Sequence, residues 1–262
     1  MELSTQILVG LLLVMAFATY FQTVTGFGLS IIVIGVTSGL DLVPLAVAAS
    51  VVSLVSLSNC AMAISLSAAK NLPWRFVWLI LLGALPASIL GVILLEYLSR
   101  EAASWLQLAL GIVIVISGVQ SAFKPHPLVR ESKGTRLAIN GVVAGLSGGL
   151  FGMPGPPIVF LMYRQPLDLD VVRQVLLIVF FLISLFRMAY LGMFEGFDTD
   201  SYVSALFSLP LIAVMTRIGK KYPPPIPAEM IRRLTFIILV TIGIGLMFSS
   251  SVDLMHPTAL SK

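Results

Sequence analysis

Charged residues are scarce in this 262-residue chain, at 11% of the total, whereas soluble domains average about 25%. Hydrophobic residues account for 58% of the chain, and the mean hydropathy is +1.03. No hydrophilic stretch is long enough to form a soluble domain. Water could not solvate a surface of this composition, because too few polar groups are present to cover it. The chain is therefore predicted to be an all-α, polytopic membrane protein.

Groups that could carry metal or acid–base chemistry are also rare. Cys60 is the only cysteine, which excludes an intrachain disulfide and a cysteine-based metal or cluster site. His126 and His256 lie in polar connections, and no Asp or Glu lies well inside an apolar segment. An enzyme nucleophile needs a base within reach, so neither enzyme chemistry nor a cofactor or metal is expected. No basic run is interleaved with aromatics, so no nucleic-acid partner is expected.

Eight apolar segments are long enough to enter or cross a bilayer, which takes about 20 residues per helix. They are 6–38, 43–69, 74–95, 102–122, 136–163, 171–194, 201–218 and 231–251. Six of them fit single helices, but 6–38 and 136–163 are too long and carry glycines near their middle. The N-terminus lacks the basic region and cleavage site of a removed signal peptide, so the first segment is expected to stay in the membrane.

The segment Gly145–Pro157 cannot form one regular helix. Five glycines and three prolines in 13 residues remove helix donors and admit non-helical backbone. In lipid, freed backbone groups are tolerated only where protein or a water-filled cavity satisfies them. A broken helix at membrane depth is therefore predicted to mark a binding site. Pro156 and Pro157 suit the first turn of the returning helix, where a missing N–H costs little.

The two halves of the chain resemble each other. Three short matches recur in the same order at offsets of 124 to 127 residues: Thr25–Gly28 with Phe151–Pro154, Leu40–Leu42 with Leu167–Leu169, and Leu85–Pro86 with Leu209–Pro210. Their shared order and spacing indicate an internal duplication. The chain is therefore divided into an N-terminal membrane repeat, 1–123, a cytoplasmic linker, 124–135, and a C-terminal membrane repeat, 136–262.

Loop charges indicate that the two helical repeats are inverted across the membrane. Loop 70–75 is basic and its counterpart 195–200 is acidic, while loop 96–101 has mixed charge and its counterpart 217–233 is strongly basic. Positively charged loops stay cytoplasmic, so equivalent loops of the two halves lie on opposite sides of the membrane. An even number of crossings per half would leave both halves in the same orientation, so each half must cross the membrane an odd number of times. The long first segment of each half is therefore predicted to be a broken, re-entrant hairpin. Two short full crossings per segment are left open as the alternative.

The hairpin tips are predicted to meet near the membrane midplane and to hold an anion. Half-helix N-termini expose N–H groups and carry a partial positive charge of roughly +0.5. Arg187 lies inside segment 171–194 and would add a full charge, and Asn59 is its counterpart in the other repeat. The candidate substrate-binding residues are Gln22, Thr23, Thr25, Gly26, Gly28, Asn59, Ser147, Gly149, Gly152, Pro154, Gly155 and Arg187.

Each of these features also has a simpler structural explanation. Small residues such as glycine allow close helix packing in membranes. Arg187 lies seven residues from the end of its segment, roughly 10 Å along a helix, so its side chain could snorkel to the interface. Asn59 could form an interhelical hydrogen bond, worth about 1 kcal/mol. The burial and contacts of these side chains distinguish the two kinds of explanation.

Over nearly its whole length the chain resembles the TauE/SafE sulfite exporter family of bacterial transporters. The most specific match is Gly148–Pro157, and Thr25–Gly28 is the match in the first half. The resemblance implies transport of small sulfur-containing anions, such as sulfite, sulfoacetate or related organosulfonates. It also implies a location in the bacterial cytoplasmic (inner) membrane.

The leading hypothesis is a secondary transporter that moves such an anion by alternating access, as one repeat bundle rocks against the other. The alternatives are an anion channel, a carrier for a different small solute, or an intramembrane enzyme or scaffold subunit. The expected partners are the small anion and the lipid bilayer, and a homodimer is left open.

Accessibility labelling tests the inverted arrangement. Single cysteines placed in 124–135 and in 217–230 should react with a membrane-impermeant thiol reagent from the same, cytoplasmic side, because both loops are basic. Reaction of the two loops from opposite sides of the membrane would contradict the inverted repeats.

Overall fold

The computed structural model describes residues 5–40, 42–65, 72–122, 128–194, 199–222 and 228–255. These residues form ten helices and no strand: α1 (Thr5–Thr25), α2 (Leu29–Gly39), α3 (Leu45–Ala63), α4 (Trp74–Glu101), α5 (Ala103–Ala122), α6 (Gly134–Phe151), α7 (Gly155–Tyr163), α8 (Leu169–Phe194), α9 (Thr199–Lys221) and α10 (Ala228–Met255). Four of them, α3, α4, α5 and α8, are long and apolar enough to cross a bilayer. The predicted all-α, multi-pass membrane fold is confirmed.

Within the described residues, each of the six apolar segments predicted as a single helix contains one helix. Residues 66–69 of the segment 43–69 lie outside the described residues. Both α4 and α9 continue through an internal proline, at Pro86 and Pro210. Of the predicted linker 124–135, residues 124–127 lie outside the described residues. Residues 128–133 are not helical, and α6 begins directly after them.

Both over-long segments are broken at their glycines, as predicted. The first consists of α1 and α2, separated by residues 26–28, and the second consists of α6 and α7, separated by residues 152–154. Gly26, Gly28 and Gly152 have φ angles of 83°, 105° and 64°. Side chains other than glycine rarely adopt this left-handed backbone conformation. The glycines therefore determine where each long segment stops being helical.

Helices α3 and α8, which the predicted duplication pairs with each other, cross antiparallel. Just beyond the end of α3, the Ser65 N–H donates to Gln174 Oε1 near the start of α8 (3.0 Å). In the first half of α3, the Ser53 hydroxyl accepts from Arg187 Nη1 in the second half of α8 (3.0 Å). The start of each helix therefore lies beside the end of the other.

The corresponding pair α5 and α10 shows the same arrangement. Gly111 lies against Met247, and Gly118, further along α5, lies against Val240, earlier in α10. Equivalent helices that meet across a two-fold axis are antiparallel when the axis is perpendicular to them, as in inverted-topology transporters. The two crossings support the inverted relation of the halves, which stays a prediction.

The chain turns back at each break. Gly26 lies against Arg173, one turn inside α8, so the first break is level with the start of α8. Because α3 begins at the opposite end, α2 must run back from the break toward that end. At the second break Gly152 lies against Ala49, near the start of α3, and α7 returns to the end at which α8 begins. These paths support the predicted hairpins.

Helices α4 and α6 come from different halves of the chain and pack through glycines. A Cβ on Gly145 would overlap the carbonyl oxygen of Ala84, and a Cβ on Gly149 would overlap that of Ser88. The two backbones are therefore in direct contact, as small residues allow in membrane proteins. Close packing explains why these two positions are glycine.

Buried apolar side chains form two cores on either side of α3. The α1 core joins α1, α2, α3, α5, α9 and α10 with parts of α4 and α6, and its members include Phe21, Ile34, Val52, Leu110 and Leu246. The α8 core joins α3, α4, α6, α7 and α8, with members Ala63, Ile80, Leu137, Ile158 and Leu177. Each core contains helices from both halves, so the packing units of the protein are not its sequence repeats.

Gly145→Ala should destabilise the protein, because the new methyl group must push α4 and α6 apart. Overpacking of this kind costs about 1–3 kcal/mol, which is expected to lower the thermal unfolding midpoint in detergent by at least a few degrees. Gly245→Ala is the matched control, because a Cβ at Gly245 has nothing within 4 Å. The two substitutions gain the same helix propensity. Equal unfolding midpoints for the two variants would contradict the close contact.

Candidate functional site

Arg187 lies in the protein interior. Its side chain is 2% exposed, so it does not snorkel to the membrane surface. Its Nε donates to the Gly149 carbonyl oxygen (3.3 Å), and its Nη1 donates to the Ala49 carbonyl oxygen (3.2 Å) and the Ser53 hydroxyl (3.0 Å). These three acceptors are neutral oxygens that solvate the guanidinium. Among the residues whose side chains the structure describes, Arg187 is the one buried charged side chain.

The second break brings α3 to this arginine. Gly152 ends α6, and its N–H donates to the Gly148 carbonyl (2.9 Å). A Cβ on Gly152 would lie 2.7 Å from the Ala49 carbonyl oxygen and 3.2 Å from the Ser53 hydroxyl. Only a glycine at this point lets α3 approach the break closely enough to place both acceptors beside Arg187.

The remaining residues predicted at the second tip are buried near the break. Ser147 donates its hydroxyl proton to a carbonyl of its own helix (3.0 Å). Pro154 directly precedes α7, and Gly155 is the first residue of that helix. A Cβ on Gly155 would meet other atoms only at 3.8 Å or beyond. Unlike Gly152, Gly155 is therefore not required by backbone geometry or by close contact.

Gln22 braces the first break by linking three helices. Its Oε1 accepts from the Leu29 N–H at the start of α2 (3.2 Å). Its Nε2 donates to Cys60 Sγ (3.1 Å) and to Ser56 Oγ (3.4 Å), both on α3. Its backbone carbonyl accepts from the Gly26 N–H (2.7 Å). This side chain holds α1, α2 and α3 together, and its contact with substrate stays a prediction.

Thr25 and the glycines around it shape the turn of the first break. The Thr25 hydroxyl donates to the Phe21 carbonyl (2.8 Å), and the Thr25 carbonyl accepts from the Tyr163 hydroxyl (2.7 Å). A Cβ on Gly28 would lie 2.8 Å from the Phe21 ring. These contacts fix the path of the backbone and dock the end of α7 against the break.

Asn59 joins three helices close to the first break. Its Nδ2 donates to the hydroxyls of Thr23 on α1 and Thr216 on α9, both at 2.8 Å. Each hydroxyl in turn donates to a carbonyl one turn earlier in its own helix. Interhelical hydrogen bonds therefore satisfy the Nδ2 donor of Asn59. Within the described part of the chain, the buried Oδ1 has no hydrogen-bond partner, and such an acceptor costs about 1–3 kcal/mol.

The helix starts at the two breaks offer fewer donors than predicted. At α2, the Leu29 N–H is already bonded to Gln22. At α7, Pro156 and Pro157 occupy the first turn, and proline has no N–H. The ends of these helices do not by themselves make a strong anion site, so the full charge of Arg187 matters more than the partial charges of the helix ends.

The expectation that the two tips meet at one point is wrong. Gly26 lies beside Arg173 and Gly152 lies near the Arg187 guanidinium, and these arginines are 14 positions apart on α8, roughly 21 Å along its axis. The reason is the length of the helices before the breaks. At 21 and 18 residues, α1 and α6 are roughly 31 and 27 Å long, so each nearly crosses a bilayer before it turns.

Comparison with known proteins agrees with this architecture. Residues 11–246 match the family described as "Sulfite exporter TauE/SafE". The chain belongs to the TauE/SafE family. A protein of Cupriavidus necator described as "Probable sulfite/organosulfonate exporter TauE" is 42% identical over 240 residues, which cover 92% of this chain and 93% of that protein. No solved structure matches the chain.

Membership in the TauE/SafE family makes this protein a multi-pass bacterial membrane transporter and not an enzyme. The alternative of an intramembrane enzyme is therefore wrong, and the resemblance based on Gly148–Pro157 and Thr25–Gly28 is confirmed. Both of these motifs are the points at which the long segments break.

Sequence reasoning missed three polar partners in this TauE/SafE protein, Ser53, Ser56 and Thr216. The signal for the two serines was periodicity. Ala49, Ser53, Ser56 and Cys60 recur every three or four residues, so they lie on one face of α3, and all four are buried. A stripe of small and polar side chains on an apolar helix indicates a face turned toward other helices. Thr216 has no comparable signal in α9.

Gly152→Ala should lower both stability and anion transport, because its φ of 64° and its contact with Ala49 exclude a side chain. The left-handed conformation costs a non-glycine residue about 1–2 kcal/mol, and the overlap adds to this cost. Gly245→Ala, where a Cβ has nothing within 4 Å, should behave as wild type. Unfolding midpoints and initial uptake rates in proteoliposomes compare the two, and equal losses would refute the backbone explanation.

Proposed function

We propose that this protein is a secondary transporter that moves a small sulfur-containing oxyanion, such as sulfite or a short organosulfonate, across the bacterial inner membrane by alternating access. The observation that carries the proposal is the guanidinium of Arg187, buried against the second break. The name of the C. necator relative, a sulfite/organosulfonate exporter, supports the choice of substrate class.

Arg187 has the chemistry that an oxyanion requires. A guanidinium presents five N–H donors in a planar fork, which matches the spacing of oxyanion oxygens. In a site of low dielectric constant, attraction between opposite charges is much stronger than in water. Binding would exchange neutral acceptors, the carbonyls of Gly149 and Ala49 and the Ser53 hydroxyl, for the charged oxygens of the anion.

The charge of Arg187 also gives the substrate a role in the transport cycle. A monoanion bound at the Arg187 guanidinium lowers the cost of keeping this charge away from water. Among the residues whose side chains the structure describes, no Asp, Glu or His is buried. The anion itself is therefore proposed to complete the site.

Alternating access is proposed to move the α1 core against the α8 core. Close glycine contacts tie α4 to α6 and α5 to α10, and each pair joins the two halves of the sequence. Rocking of the sequence repeats as separate bundles would break both contacts. Helices α3, α4 and α6 contribute side chains to both cores, and α3 carries Ala49 and Ser53, two of the acceptors of Arg187. Relative motion of the cores would therefore change the contacts of the site.

Arg187→Ala should reduce the transport of sulfite or a short sulfonate about 10- to 100-fold, because hydrogen bonds to a charged group contribute roughly 1.5–3 kcal/mol. Arg187→Lys keeps the charge but not the planar fork, so an intermediate rate is expected. Initial rates are measured with purified protein in proteoliposomes. Arg130→Ala, which removes an exposed arginine, is the control and should transport normally.

Folding of each variant is checked by size exclusion and by its unfolding midpoint, since removing Arg187 takes a donor from two buried carbonyls. A folded Arg187→Ala protein with wild-type rates would contradict the proposed role. Flux that rises linearly with substrate concentration, without saturation, would favour a channel over a carrier.

A further inference from the structure

A second arginine of α8 lies at the first break. A Cβ on Gly26 would lie 3.0 Å from Arg173 Cγ and 3.3 Å from Arg173 Cα, so the tip of the break touches the start of α8. The Tyr163 hydroxyl donates to the Thr25 carbonyl (2.7 Å), which brings the end of α7 to the same place. The first break is therefore enclosed by the end of α7 and the start of α8.

The positive charges at this place have no carboxylate partner. Arg173 is half-buried, and its Nε is inaccessible to solvent and makes no hydrogen bond. Arg164, which directly follows Tyr163, places its guanidinium over the Phe160 ring, 5.5 Å from the ring centroid. Within the part of the chain that the structure describes, Arg173 forms no ion pair with Asp168 or Asp170. The Arg173 cation thus lies beside the first break with its Nε donor unused.

Arg173 and Arg187 lie on nearly the same face of α8, because positions 14 apart are close to four helical turns apart. Along the stretch between these two arginines, α3 contributes side chains that form hydrogen bonds. Ser53 lies beside Arg187, and Ser56 and Cys60, further along α3, contact Gln22. Polar side chains therefore continue through the interior from one break to the other.

We propose that Arg173 forms a second oxyanion site at the cytoplasmic end of the transport path, distinct from the site at Arg187. The identity of the anion, a small sulfur oxyanion, rests on the proposed function. The cytoplasmic assignment follows from the basic residues that flank the loop between α7 and α8. Positive charge at the mouth of a path raises the local anion concentration, and a site at each break lets the anion cross in steps.

Equilibrium binding of radiolabelled sulfite to the full-length protein in phosphatidylcholine nanodiscs separates the two sites. Arg187→Gln should retain a weaker sulfite site, and the further change Arg173→Gln should weaken that binding about tenfold or more, since it removes the remaining charge at the first break. Combining Arg187→Gln with Arg173→Lys should retain most of the binding.

The matched control combines Arg187→Gln with Arg136→Gln, which neutralises an exposed arginine outside both breaks and should bind as Arg187→Gln alone. Folding is verified by size exclusion and by the unfolding midpoint. If the doubly substituted protein does not fold, the transport kinetics of the Arg173→Gln protein give a second test. Loss of an entry site should raise the KM for transport about tenfold and leave kcat unchanged.

Several results would overturn the second site. These are complete loss of sulfite binding in folded Arg187→Gln, equal binding with and without Arg173, or a kcat loss at unchanged KM. A difference between the variants that appears only when phosphatidylglycerol is added would assign Arg173 to a lipid headgroup, and would also overturn it. Sulfite binding to a wild-type protein that transports none would defeat the proposed function but leave the second site standing.

Discussion

A positive charge buried at membrane depth must be solvated by the protein itself, and Arg187 imposes this requirement on the helices around it. The break in α6 meets the requirement, because the last carbonyls of a helix have no intrahelical partner and carry a partial negative charge. The Gly149 carbonyl in the last turn of α6 accepts from Arg187. The broken helix and the arginine therefore stabilise each other, and the position of α3 follows from the two acceptors that it adds.

The glycines of the break segments serve different purposes, although composition alone treats them alike. Gly28 and Gly152 have left-handed backbone conformations that only glycine adopts without strain. Gly145 and Gly149 allow α4 and α6 to touch through their backbones. Gly155 meets neither condition. A glycine-rich motif in a membrane helix is thus a mixture of turn, packing and unconstrained positions, which only contacts can separate.

Much of the fold could be predicted because it depends on local composition. Runs of apolar residues marked the helices, glycines marked both breaks, and both predictions proved correct. The site was harder. Arg187 was identified because a charge in an apolar run is conspicuous, but its partner Ser53 is one of many serines in apolar helices. The hydrogen bond by which Gln22 braces the start of α2 was not foreseen, since a side chain's direction depends on which helices surround it.

The sequence by itself determined the class of protein, the positions of its helices and breaks, and the presence of one cation deep in a span. Each of these depends on the solubility and backbone preferences of neighbouring residues. Only the tertiary structure decided which residues meet, why the breaks lie at different levels along α8, and why each core mixes the two halves. These features depend on helix lengths and on contacts between residues more than a hundred positions apart, such as Ala49 and Arg187, which local patterns do not encode.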